Sequence, residues 1–159
     1  RYGRAALCPA RRAHDEAKNM NFKVKLLHTD ANPPAYAHDG DAGMDVYSIE
    51  DYTLQPGERH TFKLGFSAAF DAGYVCLVWD RSGLAAKQGL TNLAGVIDAS
   101  YRGEYGIVTL NTSAEPVNIK KGDRIAQLLI QPVLRADVQV VQELSDTSRQ
   151  GGGFGSTGK

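Results

Sequence analysis

The 159-residue chain carries no net charge, because eighteen lysines and arginines balance eighteen acidic residues. A protein without a field of one sign does not gather nucleic acid or anionic membrane over its whole surface, so any anion site must be local. Cysteine is scarce as well: Cys8 lies near the N-terminus and Cys76 in an apolar run. Two cysteines in such unlike settings predict no disulfide framework and fit a reducing compartment.

Long hydrophobic runs and internal repeats are also missing. No apolar run approaches the roughly 20 residues that a membrane-spanning helix needs. We therefore expect neither a membrane nor a nucleic-acid partner. With 42% hydrophobic and 23% charged residues, the composition is that of an ordinary globular protein, and the length favours one domain with a substantial core.

Short apolar stretches alternate with turn residues such as glycine and proline, a pattern that predicts strands. The predicted strands are 22–26, 44–49, 52–54, 61–66, 74–79, 107–111, 117–119, 125–130 and 138–141. Spacing of this kind is typical of an all-β sandwich or barrel. Only 82–88 is predicted to be a helix, with Ser82 as its N-cap and Gly89 as its stop.

The two ends of the chain differ from its centre. Residues 1–19 hold several arginines among alanines with little apolar periodicity, and we expect this extension to be disordered or foreign to the native protein. Residues 145–159 form a small, polar, glycine-rich arm that lacks the hydrophobicity to fold against a core. The predicted domain is therefore 20–144. We expect a cytoplasmic location, or an organellar or nuclear one if the extension is a targeting remnant.

The segment 95–106 places Asp98 after two apolar residues and follows it with Tyr101 between glycines. This composition predicts a tight β-hairpin whose backbone is closely approached by another group. Gly103 and Gly106 would supply positive φ or the absence of a side chain, so that a flat ring could lie against the main chain. The alternative is a hairpin with a solvated turn acid.

Two other stretches hold groups suited to an anion. Arg81 and Ser82 stand at the start of the predicted helix, where free N–H groups, the helix dipole and a guanidinium would converge on phosphate oxygens. The alternative is an ordinary capped helix. Asp45 stands at a strand start, and Gln127 either projects from a strand into a site or lies on its solvent face.

The arm carries one aromatic residue, Phe154, among its glycines, with Arg149 before it and Ser156 and Thr157 after it. The ring could stack on a base while the polar groups close over phosphates, forming a lid that is ordered only when ligand is bound. The alternative is a disordered terminus, which is the usual state of such segments.

Taken together and in this order, five stretches resemble the trimeric deoxyuridine triphosphatase (dUTPase) family. They are 42–45, 81–84, 95–98 with Tyr101 and Gly103, 122–127, and 152–158. The resemblance implies a distorted jelly roll of the β-clip type with one short helix, assembled as a homotrimer. Its three active sites would lie at subunit junctions, with the central hairpin from a second subunit and the arm from a third. One departure is Asp80, where the family usually has proline; this extra acid could weaken or redirect Arg81.

The resemblance also implies a reaction, in which dUTP and water give dUMP and pyrophosphate with Mg²⁺. That reaction keeps uracil out of DNA and supplies dUMP for thymidylate synthesis. Asp98 and Gln127 would be the catalytic residues, and Asp98, a weak base, would act mainly by aiming the water. Asp45 would hold a metal-bound water rather than the metal itself. The groups assigned to the phosphates and to the arm are Arg81, Ser82, Gly83, Arg149, Phe154, Gly155, Ser156 and Thr157.

Selectivity for the base and sugar is assigned by the same resemblance. Asn92 and the backbone near Val96, Ile97 and Gly106 would read uracil, and a cytosine would leave polar groups unpaired, which can discriminate on the order of 10⁴-fold. The backbone would approach the base so closely that no room is left for the 5-methyl group of thymine. Tyr101 beneath the sugar would refuse a ribose 2′-hydroxyl. The alternative for each of these residues is strand or turn packing, and Lys87 is interpreted as a solvated helix charge.

Two other functions compete with this one. A dCTP deaminase of the same superfamily would need a glutamate where this chain has Val108, and without an acid there water attack on a pyrimidine ring lacks its proton carrier. A non-catalytic, nucleotide-binding jelly roll is the second competitor. The presence of Asp98 and of the whole arm argues against it.

Overall fold

Strands dominate the computed structural model, which describes residues 20–148 and 150–151. The elements of this part are β1 Lys23–Leu26, β2 Met44–Tyr47, β3 Tyr52–Leu54, β4 Arg59–Lys63, β5 Phe66–Ala69, β6 Tyr74–Trp79, α1 Ser82–Gln88, β7 Leu90–Leu93, β8 Val96–Asp98, β9 Gly106–Asn111, β10 Val117–Ile119 and β11 Arg124–Pro132. The predicted all-β class with one short helix is confirmed. None of the described helices has the length and apolar character needed to cross a membrane.

The strands form four antiparallel sheets. The largest has the order β2-β11-β6-β8, a second has the order β4-β9-β7, and two ribbons pair β1 with β5 and β3 with β10. Within the described residues none of these sheets closes into a barrel. Inward side chains from both larger sheets meet in one core, as the alternating burial along β9 shows. The largest fully buried side chains include Phe62, Phe66, Tyr105, Ile107 and Leu128.

Three of the predicted strands, 52–54, 74–79 and 117–119, match the observed bounds to the residue. The predicted strand 61–66 is wrong, because Gly65 adopts a φ of 68° and separates β4 from β5. A Cβ at this glycine would lie 2.8 Å from the Cβ of Ala31. Ser82 is not an N-cap: it is the first helical residue, and Arg81 occupies the N-cap position without a side-chain cap bond. Gly89 ends the helix in the left-handed region, as predicted.

The segment 95–106 is not a β-hairpin. Its first strand, β8, pairs with β6, whereas β9, which begins at Gly106, pairs with β4 and β7. The segment therefore passes from one sheet to another. The wall of a cavity forms at this corner, which a paired hairpin would have filled.

The predicted strand 138–141 is also wrong, since no strand forms there. Val138 and Val140 are exposed, and neither pairs with any strand in the described residues. Apolar alternation gives a strand only where a neighbouring strand pairs with its edge and another layer covers its apolar face. This chain alone supplies no such neighbour among the elements described.

Candidate functional site

A cavity of about 260 Å³ lies at the corner between the two larger sheets. We call it the β8 cavity; it is lined by residues 93–98 and 104–108 together with Val78 and Tyr101. Most of these groups are apolar side chains or main chain. The volume is below the roughly 300–1,000 Å³ of sites that hold drug-sized ligands, so the cavity suits one small ring.

The wall of the β8 cavity is held against β6 by its main chain. Val78 donates its N–H to the carbonyl of Gly95 at 2.9 Å, and a Cβ at Gly95 would lie 3.0 Å from the carbonyl oxygen of Val78. A side chain at this position would therefore push the two strands apart. Glycine is required at position 95 because the main chain approaches β6 closely there. The φ of Gly95 is not positive, so backbone conformation is not the reason.

Two acids line the β8 cavity: Glu104, whose carboxylate lies 3.7 Å from Nζ of Lys63, and Asp98. Asp98 ends β8, its side chain is exposed, and its carbonyl accepts the N–H of Tyr101 at 3.0 Å. Within residues 20–148 and 150–151, no group donates a hydrogen bond to its carboxylate. Its lone pairs are thus available to a water or a ligand hydroxyl.

Tyr101 forms the floor of the turn that follows. Its hydroxyl donates to the carbonyl of Glu104 at 3.1 Å, and its side chain is 46% exposed. A Cβ on Gly103 would collide with the Tyr101 hydroxyl and ring. Glycine at 103 thus leaves room for the observed position of the Tyr101 ring, in line with the second of the two reasons that the sequence offered.

Tyr105 lies behind the β8 cavity in the core. Its hydroxyl is buried, and in the described part of the chain it has no hydrogen-bond partner. Burial raises the pKa of this phenol well above its usual value. The thiol of Cys76 behaves alike, since burial raises its pKa to about 12. Both groups stay protonated at neutral pH and are unsuited to act as bases.

A second cavity, of about 490 Å³, lies over the other flank of the large sheet. Its floor is the Asp45 cluster, which we define as Asp45, Arg81, Arg124 and Gln127. Asp45 is 2% exposed, and its carboxylate accepts from Nε of Arg81 at 3.2 Å, Nη1 of Arg124 at 3.2 Å and Nε2 of Gln127 at 3.3 Å. Two cations share one anion, so the four residues of the cluster carry one excess positive charge, while Asp41 and His38 line the same cavity beside them. The guanidinium groups suit an anionic ligand.

Strand register positions this cluster. Gln127 on β11 pairs with Asp45 on β2 and with Trp79 on β6, so all three lie in one row across the sheet. A Cβ at Gly43 would lie 3.2 Å from the Cβ of Gln127. Glycine at 43 thus lets β2 approach β11 beside the cluster. Arg81 lies two residues beyond the end of β6 and donates from Nη1 to the carbonyl of Arg124 at 3.1 Å.

The structure divides the predicted site residues between these two places. Val96, Ile97, Asp98, Tyr101 and Gly106 line the β8 cavity, and Asp45, Arg81 and Gln127 line the second cavity. Ser82 and Gly83 are exposed at the start of α1 and line neither cavity. The remaining arm residues lie outside the described part of the chain: Arg149, Phe154, Gly155, Ser156 and Thr157.

Asn92 is not among the lining residues of the β8 cavity. Its side-chain oxygen accepts the hydroxyl hydrogen of Thr109 at 2.9 Å, and its N–H donates to the carboxylate of Asp80 at 2.7 Å. Sequence reasoning also missed several residues that line the second cavity, among them His38, Asp41, Trp79 and Arg124. The signal for Arg124 was present, because it is a cation at the start of the strand that carries Gln127.

The acid of one region and the cations of the other are far apart within one chain. Asp98 pairs with Val75 near the start of β6, whereas Gln127 pairs with Trp79 at its end. Four residues of strand span ~13 Å at the usual rise. β8 and β11 also lie on opposite sides of β6. One chain therefore cannot bring Asp98 and the Asp45 cluster onto a single phosphate.

The sheets and the two cavities define an all-β protein with one site for a small ring beside a carboxylate and another for an anion. The dUTPase family model matches residues 29–158. The chain belongs to the dUTPase family, and the distorted jelly roll that the resemblance implied is confirmed. Motif residues of the family, such as Gly43, Asp45, Arg81 and Asp98, line the two cavities or lie beside them.

Curated relatives agree with this assignment. The chain is 51% identical over 142 residues to the deoxyuridine 5′-triphosphate nucleotidohydrolase of Thermobifida fusca, covering 87% of this chain and 79% of that protein. It is 47% identical to the enzyme of the same name from Nautilia profundicola, covering 88% of this chain and all of the other.

Solved structures with the same fold include two phage proteins. The dUTPase of Staphylococcus bacteriophage 80alpha with dUpNHpp superposes with a TM-score of 0.82 and 32% identity, covering 87% of this chain and 99% of that chain. A mutant dUTPase from phage phi11 of S. aureus, described as coordinating a structural Mg(II) ion, has a TM-score of 0.75 and 29% identity, covering 79% and 99%.

Proposed function

We propose that this chain hydrolyses dUTP to dUMP and pyrophosphate by in-line attack of water at the α-phosphorus. The observation that carries the proposal is the pairing of an exposed carboxylate in a ring-sized cavity with a cation-rich cluster, in a chain of the dUTPase family. Together they meet three requirements of the reaction: a pocket for the nucleobase, a group that orients the attacking water, and cations that stabilise the charge on the phosphates.

The β8 cavity is the proposed site for uracil, with the deoxyribose at its edge beside Tyr101. The backbone around Val96, Ile97 and Gly106 offers N–H and C=O groups at its wall. A cytosine would present a donor where uracil presents an acceptor, leaving buried polar groups unpaired. Tyr101 would lie beneath the sugar and leave no room for a 2′-hydroxyl. Val108, at the cavity wall, provides no acid for ring deamination.

Asp98 is the proposed water-aiming acid. Its carboxylate is exposed and free of donors in the described structure, so it can accept a hydrogen bond from a water. Holding that water in line with the α-phosphorus removes an entropic barrier and lowers the activation free energy. Proton affinity is then secondary, because an aspartate with a reference pKa of ~3.9 is ionised at neutral pH.

The Asp45 cluster is the proposed triphosphate site. Guanidinium N–H groups of Arg81 and Arg124 and the amide of Gln127 are preorganised by Asp45, which lies beneath them. Donors already fixed in place stabilise developing negative charge without reorganisation. Ser82 and Gly83 are added to this site by the family motif.

Mg²⁺ is proposed to accompany the substrate and to neutralise phosphate charge when bound. In the described part of the chain, no three His, Cys, Asp or Glu side chains group to hold a metal. Magnesium favours phosphate oxygens and retained waters over an all-protein cage. A carboxylate has about four acceptor sites. Asp45 accepts three hydrogen bonds here, so it fits a metal-bound water rather than direct ligation.

A homotrimer with shared active sites is the proposed assembly. Asp98 and the Asp45 cluster are far apart within one chain, but Asp98 of one chain can lie next to the cluster of another chain in a trimer. The stretch 133–144 exposes several large apolar side chains, with Leu134 at 97% and Val140 at 98%. Contiguous apolar exposure of this kind marks a surface that another chain covers. The segment would then gain the partner strand that it lacks.

The proposal also covers the two ends of the chain and the location of the protein. The arm 145–159 would close over bound nucleotide, with Phe154 stacked on the base and Arg149 on the phosphates. Residues 1–19 would remain outside the folded domain 20–144. We place the protein in the cytoplasm, where dUTP is formed alongside the other nucleotides and where the buried thiol of Cys76 would stay reduced.

The test is pyrophosphate release from dUTP, the four common deoxynucleoside triphosphates and UTP, assayed side by side with Mg²⁺ and with EDTA. We expect dUTP to be the preferred substrate and chelation to remove activity. Asp98→Asn should lose about 10²–10⁴-fold in turnover. Binding should be nearly unchanged, as read by fluorescence of the single tryptophan, Trp79, which lies in the second cavity.

The matched control is Asp51→Asn. Asp51 is an aspartate outside both cavities whose carboxylate accepts the N–H of Lys121. It should leave turnover unchanged. Normal turnover in Asp98→Asn would refute the role of Asp98, and a wild-type protein that binds dUTP without releasing pyrophosphate would make the chain a non-catalytic binder.

A further inference from the structure

Asp80 joins the two regions of the proposed site. It lies between Trp79, the last residue of β6, and Arg81 of the Asp45 cluster. Its carboxylate turns the other way, toward β7. Oδ1 accepts the N–H of Asn92 at 2.7 Å, and Oδ2 accepts the hydroxyl hydrogen of Thr91 at 2.8 Å.

This orientation corrects one expectation from the sequence. An acid beside Arg81 was expected to weaken or redirect the guanidinium. Instead, Nε of Arg81 donates to Asp45, and both oxygens of Asp80 are committed to β7. The cationic character of the cluster is therefore kept despite the neighbouring acid.

The strand that Asp80 holds leads directly into the wall of the β8 cavity, residues 93–95. Ala94 in this wall has a φ of 59°, in the left-handed region that disfavours a residue with a Cβ. Such a conformation persists only where the surroundings fix it. Asp80 fixes the wall at one end, and the bond from Val78 N–H to the Gly95 carbonyl fixes it at the other.

β9 holds the same strand along its other edge, by backbone pairing from Leu90 to Leu93 and by one side-chain bond. The side-chain oxygen of Asn92 accepts the hydroxyl hydrogen of Thr109, which is buried on β9. Asn92 is thus tied to Asp80 through its backbone and to Thr109 through its side chain. Asn92 therefore supports the wall through these two contacts, and its proposed part in reading uracil stays a prediction.

We propose that Asp80 is a positioning residue, which holds the wall 93–95 in the shape that discriminates uracil from cytosine. The proposal rests on the proposed function, because it takes the β8 cavity as the uracil site. Asp80 acts through β7 and does not touch the nucleotide. Its effect should therefore fall on substrate binding and base selectivity more than on the chemical step.

Asp80→Ala removes the acceptor of the Asn92 N–H. We expect the KM for dUTP to rise about tenfold, the size expected when a hydrogen bond to a charged group is lost. We expect kcat to change by less than about threefold and the preference for dUTP over dCTP to fall by about the same factor as KM rises. Asp80→Asn retains a side-chain oxygen for the Asn92 N–H and should recover most of the wild-type KM.

Thr91→Val removes only the hydroxyl donor and should raise KM by about two- to threefold. The matched control is Asp51→Ala, because Asp51 also accepts a backbone N–H, from Lys121 at 2.8 Å, and lines neither cavity. This control should leave KM and base preference unchanged. A general loss of stability would affect both aspartate variants, whereas loss of wall geometry would affect Asp80→Ala alone.

Amide hydrogen exchange of Asn92 in the full-length protein gives a readout that does not depend on activity. We expect protection in the wild type and in Asp80→Asn, and its loss in Asp80→Ala. If Asn92 loses protection while KM and the dUTP preference stay at wild-type values, Asp80 has no positioning role. A wild-type chain that fails to hydrolyse dUTP would instead overturn the proposed function, and should Asp80→Ala not fold, the graded effects of Asp80→Asn and Thr91→Val decide.

Discussion

Asp45 and Asp98 are both aspartates on strands of the same four-stranded sheet, yet their surroundings are opposite. Asp45 lies buried beneath two arginines and a glutamine and accepts hydrogen bonds from all three. Asp98 is exposed at a strand end, and no described group donates to its carboxylate. A carboxylate with three of its about four acceptor sites used serves mainly to hold cations in place, while one with free lone pairs can orient a water.

The same contrast extends to the regions around the two acids. The β8 cavity is shaped mainly by backbone and apolar side chains, which suits the reading of a flat base. The Asp45 cluster is a set of fixed donors, which suits charge on phosphates. Base recognition thus depends on backbone and apolar side chains, whereas charge stabilisation depends on fixed cationic donors. Four experiments test this division between the two regions.

The largest effect is expected from deleting residues 149–159. If the two cavities need the arm to close over the nucleotide, the truncated chain should lose activity while it keeps its oligomeric state in analytical ultracentrifugation. Pyrophosphate release from dUTP gives the readout. A truncated protein with the full wild-type rate would mean that the two cavities suffice by themselves.

The next largest effect is expected on the free energy of unfolding, which should fall for a variant of Asp45 but not for one of Asp98. Asp45→Ala leaves Arg81 and Arg124 near each other without their shared acceptor, and should lower the free energy of unfolding by about 2–3 kcal/mol. Asp98→Asn should change it by less than about 0.5 kcal/mol, as is usual for an exposed side chain without partners. Urea unfolding at one fixed protein concentration measures both. Equal losses in the two variants would contradict the contrast drawn here.

A smaller effect is expected on sugar selectivity. Tyr101→Ala removes the ring proposed to lie beneath the deoxyribose, and should raise the use of UTP relative to dUTP by about tenfold. Tyr101→Phe is the control, since it keeps the ring and loses only the bond to the Glu104 carbonyl. Its ratio of UTP to dUTP use should stay at the wild-type value. The role of the ring is refuted if the alanine variant excludes UTP as well as the wild type does.

The smallest effect is expected at Lys87. This lysine lies in the last turn of α1, is exposed, and lines neither the β8 cavity nor the second cavity. Lys87→Ala should therefore change kcat/KM for dUTP by less than about twofold. A tenfold loss would extend the phosphate site beyond the Asp45 cluster.

The sequence predicted the parts of this molecule that depend on local pattern. Apolar runs bounded by turn residues placed the strands 52–54, 74–79 and 117–119 to the residue. The five family motifs also contain Asp45 and Asp98, each close to a glycine in the sequence. Close approach of one backbone to another explains why glycine was informative at both places.

Pairing between distant strands could not be predicted in the same way. The segment 95–106 has the composition of a hairpin, but β8 and β9 pair in different sheets because other strands compete for their edges. For Asp80 the sequence indicated only one partner, Arg81 beside it. Only the tertiary structure shows that β7 is the partner.

The most direct test of the central claim, that Asp98 of one chain acts with the Asp45 cluster of another, is subunit complementation. Asp98→Asn and Arg81→Ala should each be inactive alone. When the two are co-expressed, each site takes its acid from one chain and its cluster from another, so about a quarter of the sites should be intact. Mixing Arg81→Ala with Gln127→Ala, which damage the same cluster, should restore nothing. Recovery of about a quarter of wild-type activity in the first mixture alone is the predicted result, and a mixture as inactive as its components would contradict the account.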